Sequence, residues 1–163
     1  MLNLARIRTL AALTAALALL GLAAGAQAAA LPKLLSENDS NSFRVGPSDF
    51  GFTGDGSGFM GRAPRSKRVA DGPGYMHWTT WTTHEAKATG TVWLDNCTPD
   101  CASGTFHSTL GTLVAFRPVD GRFTRATLSY SYGGYRNHGT LKLHLYPGYT
   151  YQGAFYPGYW GWT

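Results

Sequence analysis

Leu141-Lys142-Leu143-His144-Leu145 sets a leucine at every second position with a polar residue between. This is the pattern of a strand with one face buried and the other wet. The same period of two runs upstream. Ala86, Ala88, Gly90, Val92 and Leu94 alternate with Glu85, Lys87, Thr89, Thr91 and Trp93, so one face carries small residues and lets a second layer approach closely. Residues 75–81 are dominated by aromatic and β-branched types, as strands prefer. Residues 123–132 place Ala126, Leu128, Tyr130 and Tyr132 on one side, and residues 106–116 group Phe106, Leu110, Val114 and Phe116. Turn signals separate the runs: Asp71-Gly72-Pro73-Gly74, Pro118-Val119-Asp120-Gly121, Gly133-Gly134 and Asn137-His138-Gly139. With residues 50–53 and 59–61 added, there are about six to eight short strands, which antiparallel hairpins connect most simply. No segment after residue 28 carries a helical apolar stripe. The expected fold is all-β, a small antiparallel sandwich or barrel.

The ends read differently. Residues 1–28 have the make-up of a secretory signal peptide: Arg6 and Arg8 precede an Ala/Leu-rich run, and Ala26-Gln27-Ala28 fits the small-x-small cleavage pattern. The alternative, a membrane anchor, suits this run less well because so much of it is small Ala and Gly. Cleavage there would leave no transmembrane helix and start the exported, extracellular chain near Ala29. Residues 29–42 end in a run of Ser and Asn and read as a mobile arm. Residues 43–146 make the β-domain, and 147–163 a separate aromatic tail rich in Gly and Pro. Tyr146-Pro147-Gly148-Tyr149 recurs as Tyr156-Pro157-Gly158-Tyr159. Each Pro-Gly favours a type II turn, so the tail is expected to double back on itself.

Composition narrows the function classes. The 163 residues carry +5 formally. Two of the fourteen basic residues lie in the leader, so the remainder has twelve against nine acids, or +3. That is too weakly basic for a nucleic-acid binder with its Lys/Arg stripe, and the aromatic content is too high for disorder.

The two cysteines stand in Cys97-Thr98-Pro99-Asp100-Cys101. In an exported chain one pair reads as a disulfide, here closing a small loop that stiffens a bend. A redox pair usually has two intervening residues rather than three, and a metal site would need two further ligands. Ahead of them stand Gly54-Asp55-Gly56-Ser57-Gly58, Trp78…Trp81 and Ala86-Lys87-Ala88-Thr89-Gly90, and Ala102-Ser103-Gly104 follows. In this order the segments resemble a family of small exported actinobacterial proteins, over roughly residues 43–130. The resemblance implies a Gram-positive, exported origin and transfers no catalytic residue. The doubled tail lies outside it.

Residues that carry chemistry are scarce. The loop at 53–58 offers Asp55 and Ser57 without a second close carboxylate for calcium, and it lacks the Lys-Ser/Thr ending of a phosphate loop. Its glycines suit a tight turn. Arg62, Arg65, Lys67 and Arg68 form a small basic cluster, read as a solvated loop or as a contact for an anionic wall polymer or membrane surface. His77, His84, His107, His138 and His144 are scattered without ligand spacing, so no metal or other cofactor is expected. No nucleophile motif is present. Asp49, Asp55, Glu85 and Asp95 are the candidate carboxylates for a glycosidase-type pair.

The aromatic surplus is the strongest lead. Trp78 and Trp81 are three apart, which in a regular strand places them on opposite faces. Eight of the eighteen residues from Tyr146 onward are aromatic. Trp78, Trp81, Tyr149, Tyr151, Tyr159, Trp160 and Trp162 are therefore the candidate binding residues, with Tyr156 beside them; the alternative is that these rings fill a small core. Three readings follow. The first is a non-enzymatic extracellular domain that binds carbohydrate, envelope polymer or protein. The second is a small secreted hydrolase using Asp55, Asp95, Glu85 or the histidines. The third is an inhibitor of an extracellular enzyme that presents the Cys97–Cys101 bend.

Overall fold

Asp120-Gly121 and Gln152-Gly153 all take left-handed φ angles, between 47° and 79°, which is the two-residue type I′ turn that matches the twist of paired strands. These turns close two long hairpins in a computed structural model that describes residues 29–36, 42–61, 76–131 and 139–163. The expected signal peptide, the basic cluster at 62–68, the turn at 71–74 and Gly133-Gly134 lie outside the described residues.

All described elements are strands: β1 (Leu34–Ser36), β2 (Ser42–Arg44), β3 (Phe50–Gly51), β4 (Gly58–Met60), β5 (His77–Trp81), β6 (Glu85–Asp95), β7 (Phe106–Val119), β8 (Arg122–Tyr130), β9 (Gly139–Tyr151) and β10 (Ala154–Trp162). The expected all-β, antiparallel class is what forms. One sheet runs β10-β9-β8-β7-β6-β4-β3, and β5 lies beyond β4 on the same edge of β6. The sheet curls until its two edges meet, where Phe50 of β3 packs on Trp160 of β10 with ring centroids 5.3 Å apart. The result is a nearly closed barrel.

Its interior follows the alternation. Ala86, Ala88 and Val92 of β6, Ala126 and Leu128 of β8, and Leu143 of β9 are buried together, with Leu141 and Leu145 packed at the margin. Strand β7 keeps Phe106, Leu110, Val114 and Phe116 on one side, as the alternation predicts, and that side is the outer one. Leu113 and Ala115 point inward, while Leu110 is 78% exposed and Phe116 lies on the outer face with it. Register decides this: Ala86 pairs with Ala115 and Ala88 with Leu113, so the buried face of β6 selects its neighbours' parity in β7. Phe106 is buried on the opposite face, in a second cluster with Phe59 and Trp93. There β6 is covered on both sides, and the Trp93 indole N–H donates to Gly61 O at 2.9 Å.

The N-terminal arm is also corrected. Leu34 and Leu35 have no exposed surface, and Lys33 bonds both ways to the β7–β8 turn, through Lys33 N to Gly121 O at 2.8 Å and Phe123 N to Lys33 O at 3.0 Å. Two adjacent leucines outweigh the polar residues after them, because burying each is worth about 1.5–3 kcal/mol. Ser36 descends with them and donates to the buried Asp49 carboxylate at 2.7 Å. The segment thereby closes the end of the barrel at which β7 turns into β8.

The tail is not a separate unit either. Strand β9 runs through the expected boundary at 146, and β10 pairs with it from Ala154↔Tyr151 to Trp162↔Leu143. The chain does double back, but at Gln152-Gly153 and not at either Pro-Gly. The two copies pair with each other in antiparallel register: Tyr146 faces Tyr159, Pro147 faces Gly158, and Tyr149 faces Tyr156. Each proline therefore lies opposite the other copy's glycine, which lets the backbones approach. A Cβ on Gly158, whose φ is 141°, would lie 2.5 Å from Tyr146 O.

Candidate functional site

Strand β1 plugs one end of the barrel, and the grooves among the described residues lie toward the other. Strands β6 and β8 finish there, and the β3–β4 loop folds over it. An open groove of about 620 Å³ follows this mouth and the seam between β3 and β10, with Asp55, Asp95, Tyr130, Tyr159 and Trp162 among its walls. A second groove of about 590 Å³, lined by Tyr146, Pro147, Gly148 and Tyr149, shares Gly54 and Tyr159 with the first. The two adjoin at Gly54 and Tyr159, between the barrel mouth and the outer face of the β9–β10 hairpin.

That face carries a row of rings. Tyr146 stacks on Tyr159 at 5.0 Å and Tyr149 on Tyr156 at 5.2 Å, each within 13° of parallel. Tyr149 meets Tyr159 edge-on at 6.1 Å, joining the two stacks. Tyr149 is 47% exposed and Trp162, at the mouth, 62%. Tyr151 is exposed near the hairpin tip, with Phe155 nearby on the partner strand. Trp160 differs: it is fully buried, part of the core, and only the floor of the groove.

Trp78 and Trp81 are elsewhere, and they do not take opposite faces. A bulge between Trp78 and Thr80 inserts one residue against β6, which returns Trp81 to the side of Trp78. Their rings meet edge-on at 4.4 Å. Both are half-buried against the core, and their indole N–H groups donate to Pro47 O at 2.8 Å and Pro32 O at 3.0 Å. These are the contacts of rings that anchor the N-terminal segment.

The charged end of the groove is organised around Ser57. Its N–H and its hydroxyl both donate to Asp55 Oδ1, at 2.9 and 2.7 Å, while Asp95 N donates to Ser57 O at 2.8 Å. The Ser57 hydroxyl and N–H hold the Asp55 carboxyl below its ordinary pKa, despite a small opposing effect of burial. Burial pushes the Tyr130 phenol upward, so it stays neutral. The loop from Thr53 to Gly58 is the tight turn expected of it, with Gly56 at a φ of 76° and Gly56 N donating to Thr53 O. The disulfide is formed between Cys97 and Cys101. It lies in the β6–β7 connection beside Asp95, whose Oδ1 accepts from Cys97 N at 2.9 Å.

This arrangement offers ring faces and hydrogen-bond acceptors. A glycosidase pair needs one carboxyl kept protonated as the acid, and the Asp55 carboxyl, held below its ordinary pKa, does not suit that role. Glu85 sits in the β5–β6 turn at the plugged end. His77, His84, His107 and His144 do not line either groove. Among the described residues no three His, Cys, Asp or Glu side chains converge on a metal position, and no helix is long and apolar enough to cross a membrane.

Of the candidate residues, the structure gathers Tyr149, Tyr159 and Trp162 along the groove and leaves Tyr151 beyond it. Tyr130 and Tyr146 join them. Tyr130 read as one more residue of a core face. The pairing of the two Tyr-Pro-Gly-Tyr copies was available as a signal, since reversing one copy against the other sets tyrosine against tyrosine. Comparison of the chain with protein-family models, with curated proteins and with solved structures gives no match.

Proposed function

We propose that this chain is an exported, non-enzymatic carbohydrate-binding domain whose site is the groove along the mouth and seam of the barrel. The observation that carries this reading is that Tyr149, Tyr159 and Trp162 are exposed and line two adjoining grooves. Aromatic faces stack on the C–H faces of sugar rings, and a rigid ring loses little entropy on binding. The Asp55 carboxylate beside them accepts hydrogen bonds from sugar hydroxyls. A groove open along its length suits a polymer better than a single small molecule. Placement outside the cell rests on the leader at 1–28 and the resemblance over 43–130, and the joined cysteines accord with it. The test is retention on insoluble peptidoglycan, chitin and cellulose. Trp162→Ala should weaken retention about tenfold, or about 1.4 kcal/mol, with little change in stability because the ring is exposed. Equal retention of the variant, or no retention of the parent on any of the three, would sink the reading.

A further inference from the structure

Resting on that carbohydrate reading, we infer that the groove selects uncharged glycans and rejects those bearing carboxylate, sulfate or phosphate groups. Among the described residues that line them, the two grooves contain Asp55 and Asp95 and no Lys, Arg or His. The other described lining residues are uncharged, and most are aromatic, glycine or proline. This local sign opposes the exported chain as a whole, which with twelve basic residues against nine acids carries +3 and would draw polyanions to its surface without specificity. A bound anionic sugar would bring its charge toward the mouth, where the Asp55 carboxylate is exposed and held ionised by Ser57. Like charges at hydrogen-bond distance repel, and no cation among the described lining residues offsets them. A neutral sugar meets the same carboxylate as a hydroxyl donor, so one group admits the first ligand and excludes the second.

The contrast is best measured with ligands that differ only in charge. Titration calorimetry with oligogalacturonate and with its methyl ester should give at least about tenfold tighter binding for the ester, equivalent to about 1.4 kcal/mol. Neutral oligomers of glucose or N-acetylglucosamine should group with the ester. Asp55→Asn keeps an acceptor for the Ser57 N–H while removing the charge, and should narrow the gap between acid and ester. Trp162→Ala identifies groove binding, because attraction of the acid to the basic surface at large survives that change. If the free acid binds as tightly as the ester and loses affinity in Trp162→Ala, the selectivity is overturned while the carbohydrate site stands. If no oligomer binds in a way that depends on Trp162, the carbohydrate site itself falls, and this inference with it.

Discussion

The spacing of three between Trp78 and Trp81 recurs between Tyr146 and Tyr149 and between Tyr156 and Tyr159. In a regular strand each such pair would straddle the sheet. In both regions a local irregularity brings the rings to one side. For the tryptophans it is the one-residue bulge in β5. For the tyrosines it is the Pro-Gly step in each strand, with Gly158 at a φ that side chains rarely adopt. The outcomes are opposite. The tryptophans face inward and are tied to the carbonyls of Pro32 and Pro47, whereas the tyrosines face outward and stack on one another. The backbone device aligns the rings, and what lies above them decides their role. The N-terminal segment covers β5 and turns its rings into structure. The β9–β10 hairpin extends past the last β8–β9 pair, Arg125↔His144, and Tyr149 on its outer face stays half exposed.

The contrast is tested most severely at the buried rings. Trp160→Ala should cost about 3–5 kcal/mol, with Trp81→Ala close behind, since its half-buried ring also loses the hydrogen bond to Pro32. Urea denaturation reads both, and an unshifted midpoint for Trp81→Ala would mean that this ring does not anchor the N-terminal segment. A smaller loss, about 1–3 kcal/mol, is expected for Gly158→Ala, where the new Cβ meets the Tyr146 carbonyl. That variant should also weaken the tyrosine signal in near-ultraviolet circular dichroism. Retention of the full signal would show that the Pro-Gly step is not what aligns the stacks. Tyr149→Ala should have the smallest effect on stability, under about 1 kcal/mol, because half of its ring is already in water and only the stack on Tyr156 is lost. A cost as large as that of Trp81→Ala would make the tyrosine row part of the core and remove the distinction between the two regions.

Much of this was legible in the chain. Period-two alternation in 85–95 and 141–145 gave all-β strands with the right buried residues, because a side chain's face depends only on its parity once one face is known to be buried. Asp120-Gly121 marked its own turn, since a two-residue hairpin needs left-handed angles that Asp and Gly tolerate. The cysteine pair was legible from its short separation and from being the chain's two cysteines. Parity in β7 groups Phe106, Leu110, Val114 and Phe116 on one side, as the alternation predicts, but which side is buried is decided by the strand beside it. Pro-Gly has the local preference of a turn, yet two copies facing each other across a ladder gain backbone hydrogen bonds and ring stacking that two isolated turns would forgo. The arm at 33–36 became β1 because a barrel end had to be covered, a need that exists only once the sheet has curled. The groove has the same origin. Asp55, Asp95, Tyr130, Tyr146 and Trp162 are far apart in the chain, and closure of the sheet edge on edge is what makes them neighbours. Local periodicity is a property of a few consecutive residues, whereas a site at a seam belongs to the distance between two edges, which only the tertiary structure fixes.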